Sequence, residues 1–113
     1  FSPLATGLLT GKYQNGQVPD KSRMTLSPEM GGRKSERAFA AVDAYLAIAK
    51  KHDLDPVHMA LAWCFTRPFM GSVIFGATTI AQLDQALASV DITLSDDVLK
   101  EIDAAHRMHP MPY

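Results

Sequence analysis

Two short runs hold the residues whose types and spacing could do chemistry. The first is Gly76-Ala77-Thr78-Thr79, with Gln82 three positions past Thr79. Thr79 and Gln82 have capping-box spacing: the threonine hydroxyl and the glutamine amide can each satisfy a backbone N–H at the start of a helix. Such a helix start offers unpaired N–H groups and a partial positive charge, which suits phosphate. The Thr78 hydroxyl adds a donor. Just upstream, Val73-Ile74-Phe75 lies between Gly71 and Gly76 and reads as a short buried strand. In parallel α/β folds, ligands sit beyond the carboxyl ends of strands. Alone, this junction is indistinguishable from an ordinary strand–helix turn.

The second run is Phe1 to Tyr13, apolar and glycine-rich, with Lys12 near its end. Its glycines let backbone approach a ligand closely, and successive N–H groups can form an anion-binding nest. Lys12 supplies a point charge for phosphate. The Phe1 ring offers a flat face to a planar heterocycle. The competing reading is a glycine-rich surface loop with an exposed lysine.

The elements that must position these runs follow from periodicity and caps. Residues 1–35 are broken repeatedly by Gly, Pro and Asn-Gly, so no regular element is expected there. The density of Gly and Pro from 13 to 35 predicts poor packing or mobility. Residues 36–52 have helical spacing of Phe39, Val42, Leu46 and Ala49, with Ser35 as N-cap and Lys50, Lys51 and His52 in the last turn. Asp55-Pro56 starts a second helix with Met59, Ala60, Trp63 and Cys64 as its apolar face, and Arg67-Pro68 ends it. The helix from Thr79 carries a stripe of Leu83, Ala86 and Leu87. The last begins at Ser95, with Asp96 and Asp97 in its first turn and Val98, Leu99, Ile102 and Ala105 facing inward. The expectation is a mostly helical chain with one clear strand at 72–76. A lone strand needs neighbours, which points to an incomplete unit.

Bulk properties narrow the function. The chain has 113 residues, 47% of them hydrophobic, enough for a packed core, and a net charge of −1 that gives no electrostatic case for nucleic acid or an anionic membrane. The single cysteine, Cys64, excludes an internal disulfide and fits a reducing compartment. No apolar run reaches membrane-span length. The start, Phe1-Ser2-Pro3-Leu4, is not a signal peptide and lacks Met, so a preceding segment is expected. His52, His58, His106 and His109 show no metal-ligand spacing, and Cys64 beside Trp63 reads as a packed thiol.

Taken together the two runs become specific. Ser2-Pro3-Leu4-Ala5, Gly7, Leu9 and Gly11-Lys12-Tyr13, followed by Gly76-Ala77-Thr78-Thr79 and Gln82-Leu83, resemble the end of aldo-keto reductases. The likeness takes in Met59-Ala60-Leu61-Ala62-Trp63, Arg67-Pro68 and Leu94-Ser95-Asp96, and is closest to the bacterial branch and to potassium-channel β subunits. It implies that 1–113 is the C-terminal portion of one (β/α)8 TIM barrel of about 250 residues or more. Residues 1–35 would be the cofactor loop, and 36–113 the last helices and last strand. It also implies NADP as cofactor: Phe1 stacked on the nicotinamide, Ser2, Pro3, Leu4, Ala5 and Thr6 along the pyrophosphate and ribose, Lys12 and Arg23 on the adenosine side, Gly76, Thr78 and Gln82 at the 2′-phosphate. Gln85-Ala86 stands where the family often has Glu-Asn against adenine, so Gln85 keeps a polar contact and Ala86 loses one. Phe1 replaces the commoner Tyr or Trp.

The family's catalytic Asp, Tyr, Lys and His come from earlier strands, and no residue here takes their place. The resemblance therefore implies the cofactor-binding portion of a cytoplasmic oxidoreductase that reduces aldehydes or ketones to alcohols. The alternative is a nucleotide-sensing regulatory subunit of the channel β type. Either way, the remainder of the barrel or a second copy is expected to cover the exposed strand.

Overall fold

The computed structural model describes residues 1–113. A first stretch of 3-10 turns, with α1 (Arg23–Leu26) among them, leads to α2 (Glu36–Lys51), α3 (Pro56–Phe65), α4 (Ile80–Ala88) and α5 (Asp96–Met108). Each long helix begins at the residue whose chemistry marks it. Ser35 Oγ accepts from Ala38 N at 3.0 Å. Asp55 Oδ1 accepts from Val57 N at 2.7 Å and His58 N at 3.1 Å, with Pro56 in the first turn where no N–H is missed. Thr79 Oγ1 accepts from Gln82 N at 3.2 Å, and Ser95 Oγ from Val98 N at 3.3 Å. No helix is long and apolar enough to cross a membrane.

Three apolar clusters organise the packing. The largest joins Ile48 and Ala49 of α2, Met59 and Ala62 of α3, and Leu94, Val98, Ile102 and Ala105 at α5. The second sets Leu8, Tyr13, Met24 and Met30 against Ala38 and Val42 of α2. The third joins Val57 and Leu61 of α3 to Ala86 of α4, with Leu4, Val73 and Phe75 packed on it. The C-terminal tail folds back over the start of α2. Ser35 Oγ donates to the Pro112 carbonyl at 2.8 Å, Arg37 to that of Pro110 at 3.0 Å, and the Arg33 guanidinium lies 5.4 Å from the Tyr113 ring centre.

Four expectations are corrected. The chain has no strand at 72–76. Val73 and Phe75 turn inward while Ile74 is exposed, the alternation of an extended backbone. A ladder nonetheless requires a second extended segment, and there is none beside it. Residues 13–35 are poorly packed only in part: residues 15–21 are exposed, but Tyr13 and Met30 are each 1% exposed, because α2 presents small and branched side chains onto which the turns settle. The buried residues of α3 are Val57, Met59, Leu61 and Ala62, while Ala60, Trp63 and Cys64 are only half-buried. That helix is covered from two sides, by the first cluster and by the third, so no single stripe describes it. On α4 only Ala86 of the expected stripe is buried, and Leu83 and Leu87 are exposed.

Candidate cofactor site

The N-terminal run is held in an unusual backbone. Ser2, Ala5 and Thr6 all have positive φ, at 56°, 48° and 59°, followed by Gly7 at 99°. Left-handed non-glycine residues cost roughly 1–3 kcal/mol each and persist only where surroundings over-determine them. Here the Ala5 and Gly7 amides donate to the Ser2 and Leu4 carbonyls, each at 2.9 Å, and the Leu9 amide donates to Leu4 O at 3.2 Å. The Thr6 hydroxyl donates to Ala5 O at 2.6 Å. Leu4 and Leu8 anchor the run in two different clusters. The expected nest is thus partly closed on itself, since three of its amides have intramolecular acceptors.

Gly11 fixes the far end. Its φ is +77°, and a Cβ there would lie 2.9 Å from Leu46 Cδ1, so a larger residue would strain the backbone and push the Leu46 side chain aside. Lys12 follows. Its Nζ lies 5.1 Å from the centre of the buried Tyr13 ring and its chain runs beside Gly7, so a cation–π contact rather than an ion pair holds the ammonium. Phe1 is 97% exposed and Ser2 is exposed, while Pro3, Ala5 and Thr6 are half-buried. Arg23 opens α1 on the surface; its carbonyl accepts from Ser27 N at 2.8 Å, and its guanidinium makes no hydrogen bond or ion pair.

At the second run, Gly76, Thr78, Gln82 and Gln85 are all exposed. The capping box is displaced by one residue: Gln82 Oε1 accepts from Thr78 N at 2.9 Å and from Thr78 Oγ1 at 3.0 Å, not from the Thr79 amide. The first-turn amides of α4 have no carbonyl to bond within the helix. Beside them, Phe75, Ala77, Thr78, Thr79, Ile80 and Leu83 line an open depression of about 510 Å3. Gln85 Nε2 donates to Asp55 Oδ2 at 2.9 Å. Sequence reasoning read Asp55 only as a cap. Its second oxygen had no signal, because its partner lies 30 positions away.

The third cluster links the two runs: Leu4 from the first and Phe75 from just before the second both pack on the cluster formed by Val57 and Leu61 of α3 and Ala86 of α4. Arg23 stands apart, beside the second cluster through its neighbour Met24. The donors present suit a phosphorylated nucleotide: a lysine ammonium, the Gln82 NH2 group and a helix start, with the Thr78 hydroxyl proton already given to Gln82 Oε1. Cys64 is on the half-buried side of α3, and burial pushes its thiol up, which disfavours the reactive thiolate. No group of three or more His, Cys, Asp or Glu side chains is placed to hold a metal ion.

A family model described as "Aldo/keto reductase family" matches residues 1–107. The chain is similar to Protein tas of Escherichia coli, with 44% identity over 112 residues, covering 99% of this chain and 32% of that protein. It is also similar to a probable voltage-gated potassium channel subunit beta of Arabidopsis thaliana, with 33% identity over 115 residues, covering 97% of this chain and 35% of the relative. A putative channel subunit beta of Schizosaccharomyces pombe is 29% identical over 118 residues. The chain thus spans about one third of the length of the curated relatives it matches.

Proposed function

The chain belongs to the aldo/keto reductase family, and from that premise we propose that it is the cofactor-binding portion of an NADP-dependent oxidoreductase that reduces aldehydes or ketones to alcohols. The observation that carries this reading is the arrangement at α4. Thr78 holds Gln82 by its oxygen at a capped helix start, and Leu4 of the N-terminal run packs on the cluster that joins α4 to α3.

In this reading the chain is the C-terminal part of a (β/α)8 barrel, with 1–35 as cofactor loop and residues 71–77 in the position of a barrel strand. The extended, unpaired backbone of that segment would then be laddered by preceding strands, or covered by a second copy. Bound NADPH supplies the hydride. Phe1 gives the nicotinamide a face, Ser2 to Thr6 follow the pyrophosphate and ribose, Lys12 and Arg23 lie on the adenosine side and reach its phosphate or the adenine face, and Gly76, Thr78 and Gln82 meet the 2′-phosphate. Gln85 faces the base. The proton donor belongs to strands outside these residues, so the 113-residue chain alone is expected to show no turnover and weak NADPH binding. A cytoplasmic location fits NADPH-dependent reduction.

The test is titration of the full-length polypeptide carrying this chain with NADPH and NADH. Lys12→Ala and Thr78→Val should each weaken NADPH about tenfold or more and NADH less, because the 2′-phosphate gains charge-assisted hydrogen bonds that a hydroxyl does not. Equal loss for both cofactors would overturn the assignment of these residues to the 2′-phosphate.

Similarity to proteins described as potassium channel β subunits supports a second reading, a nucleotide-sensing regulatory subunit. Multiple-turnover reduction of a reactive aldehyde by the full-length polypeptide separates the two. Binding without turnover favours the regulatory one.

A further inference from the structure

Gln82 and Gln85 lie three residues apart on one face of α4, about 5–6 Å from one another at Cβ. Each has its amide orientation fixed by a partner that can play only one role. Gln82 faces the Thr78 peptide N–H at 2.9 Å, and a peptide N–H only donates. The glutamine atom there is therefore the oxygen, and the free end of Gln82 is its NH2 group. Gln85 faces Asp55 Oδ2 at 2.9 Å, and a carboxylate oxygen accepts. The atom there is the nitrogen, and the free end of Gln85 is its carbonyl oxygen. One helix face thus presents a pair of donors and, one turn along, an acceptor.

Asp55 is itself pinned. Its other oxygen, Oδ1, accepts from Val57 N and His58 N at the start of α3. Its orientation is set by the cap, and the cap in turn sets the polarity that Gln85 shows to solvent.

We propose that Asp55 is a positioning residue that fixes Gln85 as a hydrogen-bond acceptor, so that this face of α4 selects a nucleotide base bearing an exocyclic amine beside an anionic group held at Gln82. This rests on the cofactor reading above. The donor end at Gln82 suits phosphate oxygens. The acceptor at Gln85 suits the amine of adenine. A base with a carbonyl in that place, hypoxanthine, sets acceptor against acceptor.

The test compares dissociation constants of the full-length polypeptide for NADPH and for its hypoxanthine analogue, by fluorescence titration. The wild type should prefer the adenine dinucleotide by about fivefold or more, the order expected for one hydrogen bond. Asp55→Asn inverts the device. The cap keeps the asparagine oxygen on Val57 and His58, so its NH2 meets Gln85, which turns and presents its own NH2 outward. The preference should then move toward hypoxanthine by a similar factor. Gln85→Leu, at an exposed position that needs no repacking, should bring the ratio near one while both dinucleotides still bind. A purely structural role for Asp55 would weaken both dinucleotides alike and leave their ratio unmoved, and that result overturns the proposal. Equal binding of the two by the wild type also overturns it, leaving the cofactor reading intact. Binding of neither overturns both.

Discussion

Helices α2, α3 and α5 close around Ile48, Met59, Val98 and Ile102, while α4 and the segments on either side of it leave Phe69, Ile74, Ile80, Leu87 and Val90 largely exposed. The two regions draw on the same kinds of residue. They differ in partners: α2 packs on both α3 and α5 and all three contribute to one cluster, whereas α4 packs on α3 and contributes a single buried residue, Ala86. An apolar residue is buried only where another element supplies the opposite wall. The backbone repeats the contrast, since each long helix pairs its interior N–H and C=O groups within itself, while residues 71–77 make no backbone–backbone hydrogen bond.

The largest expected difference is in amide exchange. Amides of α2 and α5 should be protected, while those of residues 72–77 should exchange close to the rate of an unstructured peptide, as read by hydrogen–deuterium exchange of this chain. Protection of 72–77 here would break the comparison. Protection appearing only in the full-length polypeptide would sharpen it, by supplying the missing ladder.

Side-chain deletion comes next. Ile102→Ala should destabilise by about 2–5 kcal/mol, since it opens a cavity in the main cluster. Ile80→Ala, at a position 73% exposed, should change stability by about 0.5 kcal/mol or less. Urea midpoints at constant slope decide this, and equal losses would mean the α4 face is already covered.

Ser35→Ala should cost about 1 kcal/mol. It removes the α2 cap and also the hydroxyl that donates to Pro112. Ser35→Asp separates the two roles: helix stability should be restored, while limited proteolysis still finds residues 109–113 released.

The smallest effect is electrostatic. The Lys51 ammonium, 2.7 Å from Glu101, holds that carboxyl below its usual range, with His52 at 3.2 Å adding to the pull. A depressed carboxyl stabilises the fold fully above the unfolded-state value, about pH 4.3, and loses that contribution as pH falls through the folded-state value. Glu101→Gln should therefore lower stability at pH 7, reach parity with the wild type in acid, and show a smaller difference in high salt. A difference unchanged down to pH 2 would remove the ion pair from the account.

What the sequence determined by itself was local. Ser35, Asp55, Thr79 and Ser95 each bond an amide two or three residues ahead, so a window of four residues contains the whole interaction. The two runs at 1–13 and 76–82 were equally legible, because their residue types and order identify the family without any knowledge of packing. Tertiary structure decided the rest. Val73-Ile74-Phe75 has the composition and alternation of a strand, but strand formation is a property of a pair, and the chain supplies no second member. The faces of α3 depended on which neighbours arrived, so Val57, Leu61 and Ala62 are buried and Trp63 is not fully so. Tyr13 and Met30 sit in turns that look exposed until α2 is placed beside them. The Asp55–Gln85 hydrogen bond joins positions 30 apart; no spacing rule spans that distance, and only the packing of α4 on α3 brings the two side chains within reach.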